Sequence, residues 1–245
     1  MRLTMWLCAA LLSMLTLPAC AGYSKQPSYY FKDEAQLALA RAAGDGDIQA
    51  MQRALDRGAD PNTMGEDGMT PLFWAVTMQP NIEAVRYLLA HGGDPDLVTV
   101  DKDAPGRSKA ILLYQAYRNP EPAFIEAVLE AGANPDIIVD DDQNTLLSQS
   151  MADKRLGQIE MLIKYGADVN IRSKFDYTPL YSAVIGQEYK TALAILNAGG
   201  DPGLENSNGK SVVDTVKLFH DRESGEDYRK FVKALKGKGY LDPSF

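Results

Sequence analysis

A glycine-centred turn that recurs at nearly constant spacing constrains this chain more than any other feature. It reads Arg57-Gly58-Ala59-Asp60-Pro61-Asn62, His91-Gly92-Gly93-Asp94-Pro95-Asp96, Ala131-Gly132-Ala133-Asn134-Pro135-Asp136, Tyr165-Gly166-Ala167-Asp168-Val169-Asn170 and Ala198-Gly199-Gly200-Asp201-Pro202. The leading glycines are 34, 40, 34 and 33 residues apart. A glycine in the left-handed region stops a helix cheaply, and Asp or Asn suits the turn that follows. Each copy should therefore end a helix. The length of 245 residues alone suggests one or two domains, but a regular repeat overrides that prior: the units stack as one elongated array in which each touches its neighbours.

Helix starts recur as well. In Thr70-Pro71-Leu72-Phe73-Trp74-Ala75-Val76 the threonine can cap a helix, the proline suits the first helical position, and Leu72, Ala75 and Val76 fall on one face. Thr178-Pro179-Leu180-Tyr181-Ser182-Ala183-Val184 repeats the pattern 108 residues later. Both stretches resemble the ankyrin signature T-P-L-H-x-A, whose period is about 33 residues. The resemblance covers Asp33 to the C-terminus. It implies an all-α ankyrin-repeat solenoid of stacked helix-turn-helix units joined by finger loops, with units near 33–64, 65–98, 105–138, 140–172, 173–205 and 206–245.

The units differ in wear. The first pairs a helix over Leu37–Ala43 with a return over Ile48–Arg57, and Asp33, Glu34 and Gln36 give it the polar character of an end cap. The second opens its outer helix at Pro80-Asn81 and buries Ile82, Val85, Leu88 and Leu89; Phe73 stands where the family has His, so that residue's hydrogen bond to the loop is lost. The third has Ala110-Ile111-Leu112 in place of Thr-Pro-Leu, and its finger, Pro95–Lys109, is about six residues longer than its neighbours. Function and tolerated loop growth explain that length equally well. The fourth keeps Thr145 and Leu146, with Ile159, Leu162 and Ile163 in its second helix. The sixth begins at Ser211-Val212-Val213, should bury Leu218, Phe231, Val232 and Leu235, and carries an insertion over His220–Asp227. Lys217, Arg229, Lys230, Lys233, Lys236 and Lys238 give it the polar exterior of a C-terminal cap.

Ahead of the repeats, Met1-Arg2 precedes an apolar run from Leu3 to Leu17 that has the form of a secretory signal and is short for a membrane span. Its end, Leu17-Pro18-Ala19-Cys20, resembles a bacterial lipobox. The resemblance implies a signal peptide over 1–19, diacylglycerol on Cys20 and acylation of the new amine. Several acyl chains, each buried methylene contributing about 0.8 kcal/mol, hold a protein firmly at a membrane. Ala21 after the cysteine implies the outer membrane, with the domain facing the periplasm. Residues 20–32 then read as the lipidated Cys and a flexible linker. Within it, Tyr29, Tyr30 and Phe31 either pack on the first repeat or lie at the bilayer surface.

The formal charge is -8, and removal of Arg2 with the signal leaves 24 basic against 33 acidic residues, so nucleic acid is not an expected partner. Cys8 and Cys20 are the only cysteines, and with Cys8 in the signal no internal disulfide can form. His91 suits the C-terminal end of a helix dipole, and His220 reads as solvated. Gly44-Asp45-Gly46 is a turn. Asp140-Asp141-Asp142 lacks the glycine turn and staggered oxygens of a calcium loop and reads as a solvated finger tip. No catalytic residue, metal ligand or cofactor is therefore expected, and the chain is not read as an enzyme.

Ankyrin arrays, by resemblance, bind other proteins through finger tips and the exposed side of the inner helices. The aligned positions are Glu66, Asp67, Met69 and Met78 in the second unit, Arg107, Lys109, Tyr117 and Arg118 in the third, Asp141, Asp142 and Asn144 in the fourth, and Lys174, Phe175 and Tyr177 in the fifth. Phe175 and Tyr177 carry most weight, because aromatic anchors dominate binding energy; packing against the adjoining finger is the competing reading. The expectation is a monomeric, noncatalytic protein-binding module on a lipid tether, with neutralisation of a periplasm-acting toxin as one role. A structural tether for an envelope complex is the alternative.

Overall fold

The computed structural model describes residues 26–100, 109–140, 142–153, 155–219 and 225–245. A short helix, α1 (Pro27–Tyr30), is followed by six consecutive helix pairs: α2 (Glu34–Asp45) with α3 (Ile48–Asp56), α4 (Pro71–Thr77) with α5 (Ile82–Ala90), α6 (Leu112–Arg118) with α7 (Pro122–Glu130), α8 (Leu146–Ala152) with α9 (Leu156–Lys164), α10 (Pro179–Ile185) with α11 (Tyr189–Asn197), and α12 (Val212–Phe219) with α13 (Glu226–Gly237). An antiparallel ribbon, β1 (Val98–Val100) with β2 (Lys109–Ile111), leads into α6 with Val98 opposite Ile111.

Local chemistry explains where the helices begin and end. Thr70 Oγ1 accepts the Phe73 N–H at 3.1 Å and Thr178 Oγ1 accepts that of Tyr181 at 3.2 Å, each ahead of a proline at the first helical position. Thr145 caps α8 in the same way through the Ser148 N–H. At the opposite ends Gly58, Gly92, Gly132, Gly166 and Gly199 take φ between 90° and 100°, where a Cβ would be strained even though open space surrounds each position. The Ala110-Ile111-Leu112 start has no capping side chain; the ribbon fixes that entry, and Leu112 N–H bonds the Leu97 carbonyl at 2.9 Å.

First helices stack on first helices, α2 on α4, α4 on α6, α8 on α10 and α10 on α12. Second helices do likewise from α5 through α7, α9 and α11 to α13. One apolar core runs the length of the stack, from Leu39 to Leu241.

Two expectations are corrected. Leu218 is 70% exposed, not buried: Val212, Thr215 and Val216 form the buried stripe of α12, and two residues past Val216 the helix has turned to its opposite face. The linker is also shorter than 20–32, and of the two readings open for Tyr30 and Phe31, packing on the repeats holds. Tyr30 and Phe31 are buried with Ala40 and Trp74 in a small second core, against Leu37, Met69 and Met78. The Tyr30 and Trp74 ring centroids are 5.9 Å apart. Tyr29 stays largely outside this cluster, packed edge-on against Tyr30.

Candidate partner-binding face

The fingers are held in register by a ladder of side-chain to backbone hydrogen bonds. Within each turn the first Asp or Asn accepts the N–H two residues on: Asp60 from Asn62, Asp94 from Asp96, Asn134 from Asp136, Asp168 from Asn170 and Asp201 from Gly203, all at 2.8–2.9 Å. That second residue then reaches the following turn. Asn62 accepts from Asp94 N–H at 2.8 Å, Asp96 from Asn134 at 2.7 Å, Asp136 from Asp168 at 2.9 Å and Asn170 from Asp201 at 2.9 Å. Where the rung is an asparagine it also donates, Asn62 Nδ2 to the Gly92 carbonyl at 2.7 Å and Asn170 Nδ2 to that of Gly199 at 3.2 Å. Gln36 begins the ladder. In the amide orientation that satisfies both groups, it donates to the Asp60 carbonyl and accepts the Asp60 N–H, at 3.0 and 2.9 Å.

Phe175 stands on the fourth finger with 53% of its surface exposed. Its carbonyl accepts from Ser207 Oγ of the next finger at 3.5 Å, leaving the ring outward. Tyr177 is half-buried, its ring tilted on Tyr181 with centroids 5.1 Å apart. Lys174 is exposed and bridges back to the third finger, its N–H on the Asp142 carbonyl at 2.9 Å and its Nζ 3.5 Å from Asp142 Oδ1. Asn144 is engaged in its own turn, donating from N–H and Nδ2 to the Asp140 carboxylate at 3.0 and 2.9 Å. Burial pushes the Asp140 carboxyl upward, but these bonds and the Asp142 N–H outweigh it and hold the group below the usual carboxylate range. Asp140 is thus the keystone of a turn.

Glu66 is exposed and Asp67 half-buried at the first finger tip, while Met69 and Met78 are half-buried beside the Trp74 cluster, partly beneath α1. Arg118 is exposed at the end of α6, and Lys109 pairs in register with Val100. Arg107 and Asp141, like Cys20 and His220, lie outside the described residues. Tyr117 departs from its assignment to the binding face. It is 2% exposed, Asp153 accepts its hydroxyl proton, and the Arg155 guanidinium lies 4.7 Å from its ring centroid while Nη1 donates to its carbonyl at 2.8 Å. Burial, then the Asp153 hydrogen bond, raises its phenol well above the ordinary range. Leu113, Ala116 and Tyr117 share one helical face, and that spacing was the available signal for burial.

Sequence reasoning missed Met64, Val98 and Ile138, which are 49%, 38% and 46% exposed. Each lies two residues beyond a rung of the ladder, at Asn62, Asp96 and Asp136. His91 does sit at a helix end, stacked on Tyr87 with its Nδ1 2.7 Å from the Tyr87 carbonyl oxygen. Among the described residues no group of three His, Cys, Asp or Glu side chains is placed to hold a metal, and no helix is long and apolar enough to cross a membrane.

Residues 39–89 match the family model described as ankyrin repeats (many copies). The ankyrin repeat and KH domain-containing protein mask-1 of Caenorhabditis elegans is 26% identical over 178 residues, which are 72% of this chain and 6% of that protein. Four curated relatives are matched over 18%, 25%, 6% and 48% of their own lengths, so the chain spans at most about half of any of them. An ankyrin repeat domain from Acinetobacter baumannii AYE superposes with a TM-score of 0.59 at 22% identity, over 80% of this chain and 96% of that one. A chain in the solved complex of a predatory endopeptidase from Bdellovibrio bacteriovorus with an immunity protein gives 0.54 at 24% identity, over 80% and 97%. Signature, helix pairing and superposition agree, and the chain has the ankyrin-repeat fold.

Proposed function

We propose that this chain is a noncatalytic protein-binding module of the bacterial envelope that captures a specific partner and neutralises a toxin or effector acting in the periplasm. The observation that carries this reading is a continuous row of fingers, fixed by the ladder, with the Phe175 ring 53% exposed on a finger tip. An ordered scaffold with an outward aromatic presents an anchor at little entropic cost. The toxin-neutralising role draws on the superposition with the complex that contains an immunity protein.

The lipobox-like Leu17-Pro18-Ala19-Cys20 supports a tether at Cys20 to the outer membrane. With chain packed on the repeats from Pro27, residues 21–26 span at most about 20 Å, which keeps the first repeat close to the bilayer. Cys20→Ser should leave the domain folded but release it from membrane fractions; continued sedimentation with membranes would remove the anchor.

The deciding experiment is affinity capture from envelope extracts with the chain as bait and Phe175→Ala as control. Retention of one secreted or toxic enzyme by the native chain alone, followed by inhibition of that enzyme, supports the neutralising role. Retention of abundant resident envelope proteins favours a structural tether instead.

A further inference from the structure

We propose that Met64, Val98 and Ile138 form a docking strip for an extended, basic segment of the partner, with an apolar residue at every third position. The inference rests on the reading of the chain as a protein-binding module and names the chemistry that module recognises.

Three observations lead to it. The residues occupy the same place on three successive fingers, each two positions beyond a ladder rung, and the bonds from Asp94 N–H to Asn62 and from Asn134 N–H to Asp96 hold the turns that carry them in register. All three are exposed, and strand alternation turns Val98 outward while Thr99 beside it is buried. The equivalent position on the fourth finger is Arg172, which donates to the Glu205 carbonyl at 2.8 Å, so the apolar strip ends there.

The period of the strip selects the occupant. Packed helices lie about 8–10 Å apart, and the fingers inherit that spacing. A polyproline II segment advances about 3.1 Å per residue with three residues per turn, so equivalent side chains recur every ~9 Å on one side. An added β-strand would need free main-chain partners, but the main chain at Val98 is paired with Ile111 and that beside Ile138 is bonded by Val139 N–H to the Asn144 carbonyl at 2.9 Å. A polyproline II backbone needs none. The surroundings select the charge: in sequence the three fingers, over 59–70, 93–111 and 133–145, carry eleven acidic residues against three basic ones, Lys102, Arg107 and Lys109. Lysine or arginine between the apolar positions complements that field, and salt would weaken the attraction.

The test uses the full chain and fluorescent peptides made of four Leu-Lys-Pro repeats, four Leu-Glu-Pro repeats, or three Leu-Lys-Lys-Pro repeats, together with a helical peptide whose leucines are seven residues apart. The first should bind at least about tenfold tighter than the others. Met64→Ser, Val98→Ser and Ile138→Ser should each weaken it about fivefold or more, with melting curves unchanged and Leu218→Ser, at an exposed position of the sixth unit, without effect. Equal binding of all peptides, tighter binding of the helical one, or indifference to the triple serine variant overturns the strip. Capture of the same envelope protein by native chain and triple variant overturns the strip while the binding module stands; capture of no specific protein by the native chain overturns the module and the strip with it.

Discussion

The Asp136 carboxylate accepts the Asp168 backbone N–H at 2.9 Å, which sets two acidic side chains on neighbouring turns side by side. Burial raises the Asp136 carboxyl above its ordinary value; the hydrogen bond pulls it down, and the Asp168 charge pushes it up again. The rung is needed for register yet is strained electrostatically, unlike its asparagine counterparts.

Asp136→Asn should therefore stabilise the fold by about 0.5–1.5 kcal/mol, because the new amide can donate to the Gly166 carbonyl as Asn62 and Asn170 do to theirs. The sign with pH follows from a folded-state value above the unfolded one. The ionised group costs stability above its folded value, and that cost disappears as pH falls through it. Urea unfolding of both proteins should thus show the largest difference near pH 7 and a narrowing one as the solution becomes acid.

Tyr117 offers a graded test of its structural role. Tyr117→Phe removes the hydroxyl bond to Asp153 and should cost about 1 kcal/mol, whereas Tyr117→Ala empties a core site and should cost about 3–5 kcal/mol. Partner affinity at temperatures where the protein remains folded should not change with Tyr117→Phe. A large affinity loss at unchanged stability would return this residue to the binding face.

Gly65 packs against the folded N-terminal segment so closely that a Cβ there would lie 2.2 Å from the Tyr30 carbonyl oxygen. Because that neighbour is backbone, Gly65→Ala should lift α1 from the Trp74 cluster and destabilise the protein by about 1–3 kcal/mol. Limited proteolysis should then cut near Tyr29 earlier than in the native chain.

Phe175→Ala should weaken capture of the partner by on the order of 2 kcal/mol while stability stays within about 0.5 kcal/mol. Tyr177→Ala should behave differently, losing about 0.5–1.5 kcal/mol of stability with its contact to Tyr181. Calorimetric melts and titrations with the captured protein would separate the two aromatics.

The helix starts and stops were legible because their chemistry is local: Thr70, Thr145 and Thr178 bond three residues ahead, and the five turn glycines act on their own φ. The ladder was not legible as a ladder. Asp and Asn announced turns, but each cross-turn partner is a backbone N–H 31 to 38 residues away, which no local pattern encodes. The same holds for Met64, Val98 and Ile138, single apolar residues on separate fingers whose alignment appears only when the units stack. Leu218, expected inside because it is apolar, and Tyr117, expected outside by its place in the repeat, are both decided instead by helical period.

Every rung of the ladder is made at the start of its finger, at Asn62, Asp96, Asp136 and Asn170, and the rest of the finger then leaves and returns to start the next helix. Loop length downstream of a rung is consequently decoupled from the spacing of the stack, and the long segment after Asp96 coexists with undisturbed bonds on either side. The scaffold and its fingers can thus diversify separately: one part of the chain keeps its geometry while the other is at liberty to fit a changed partner.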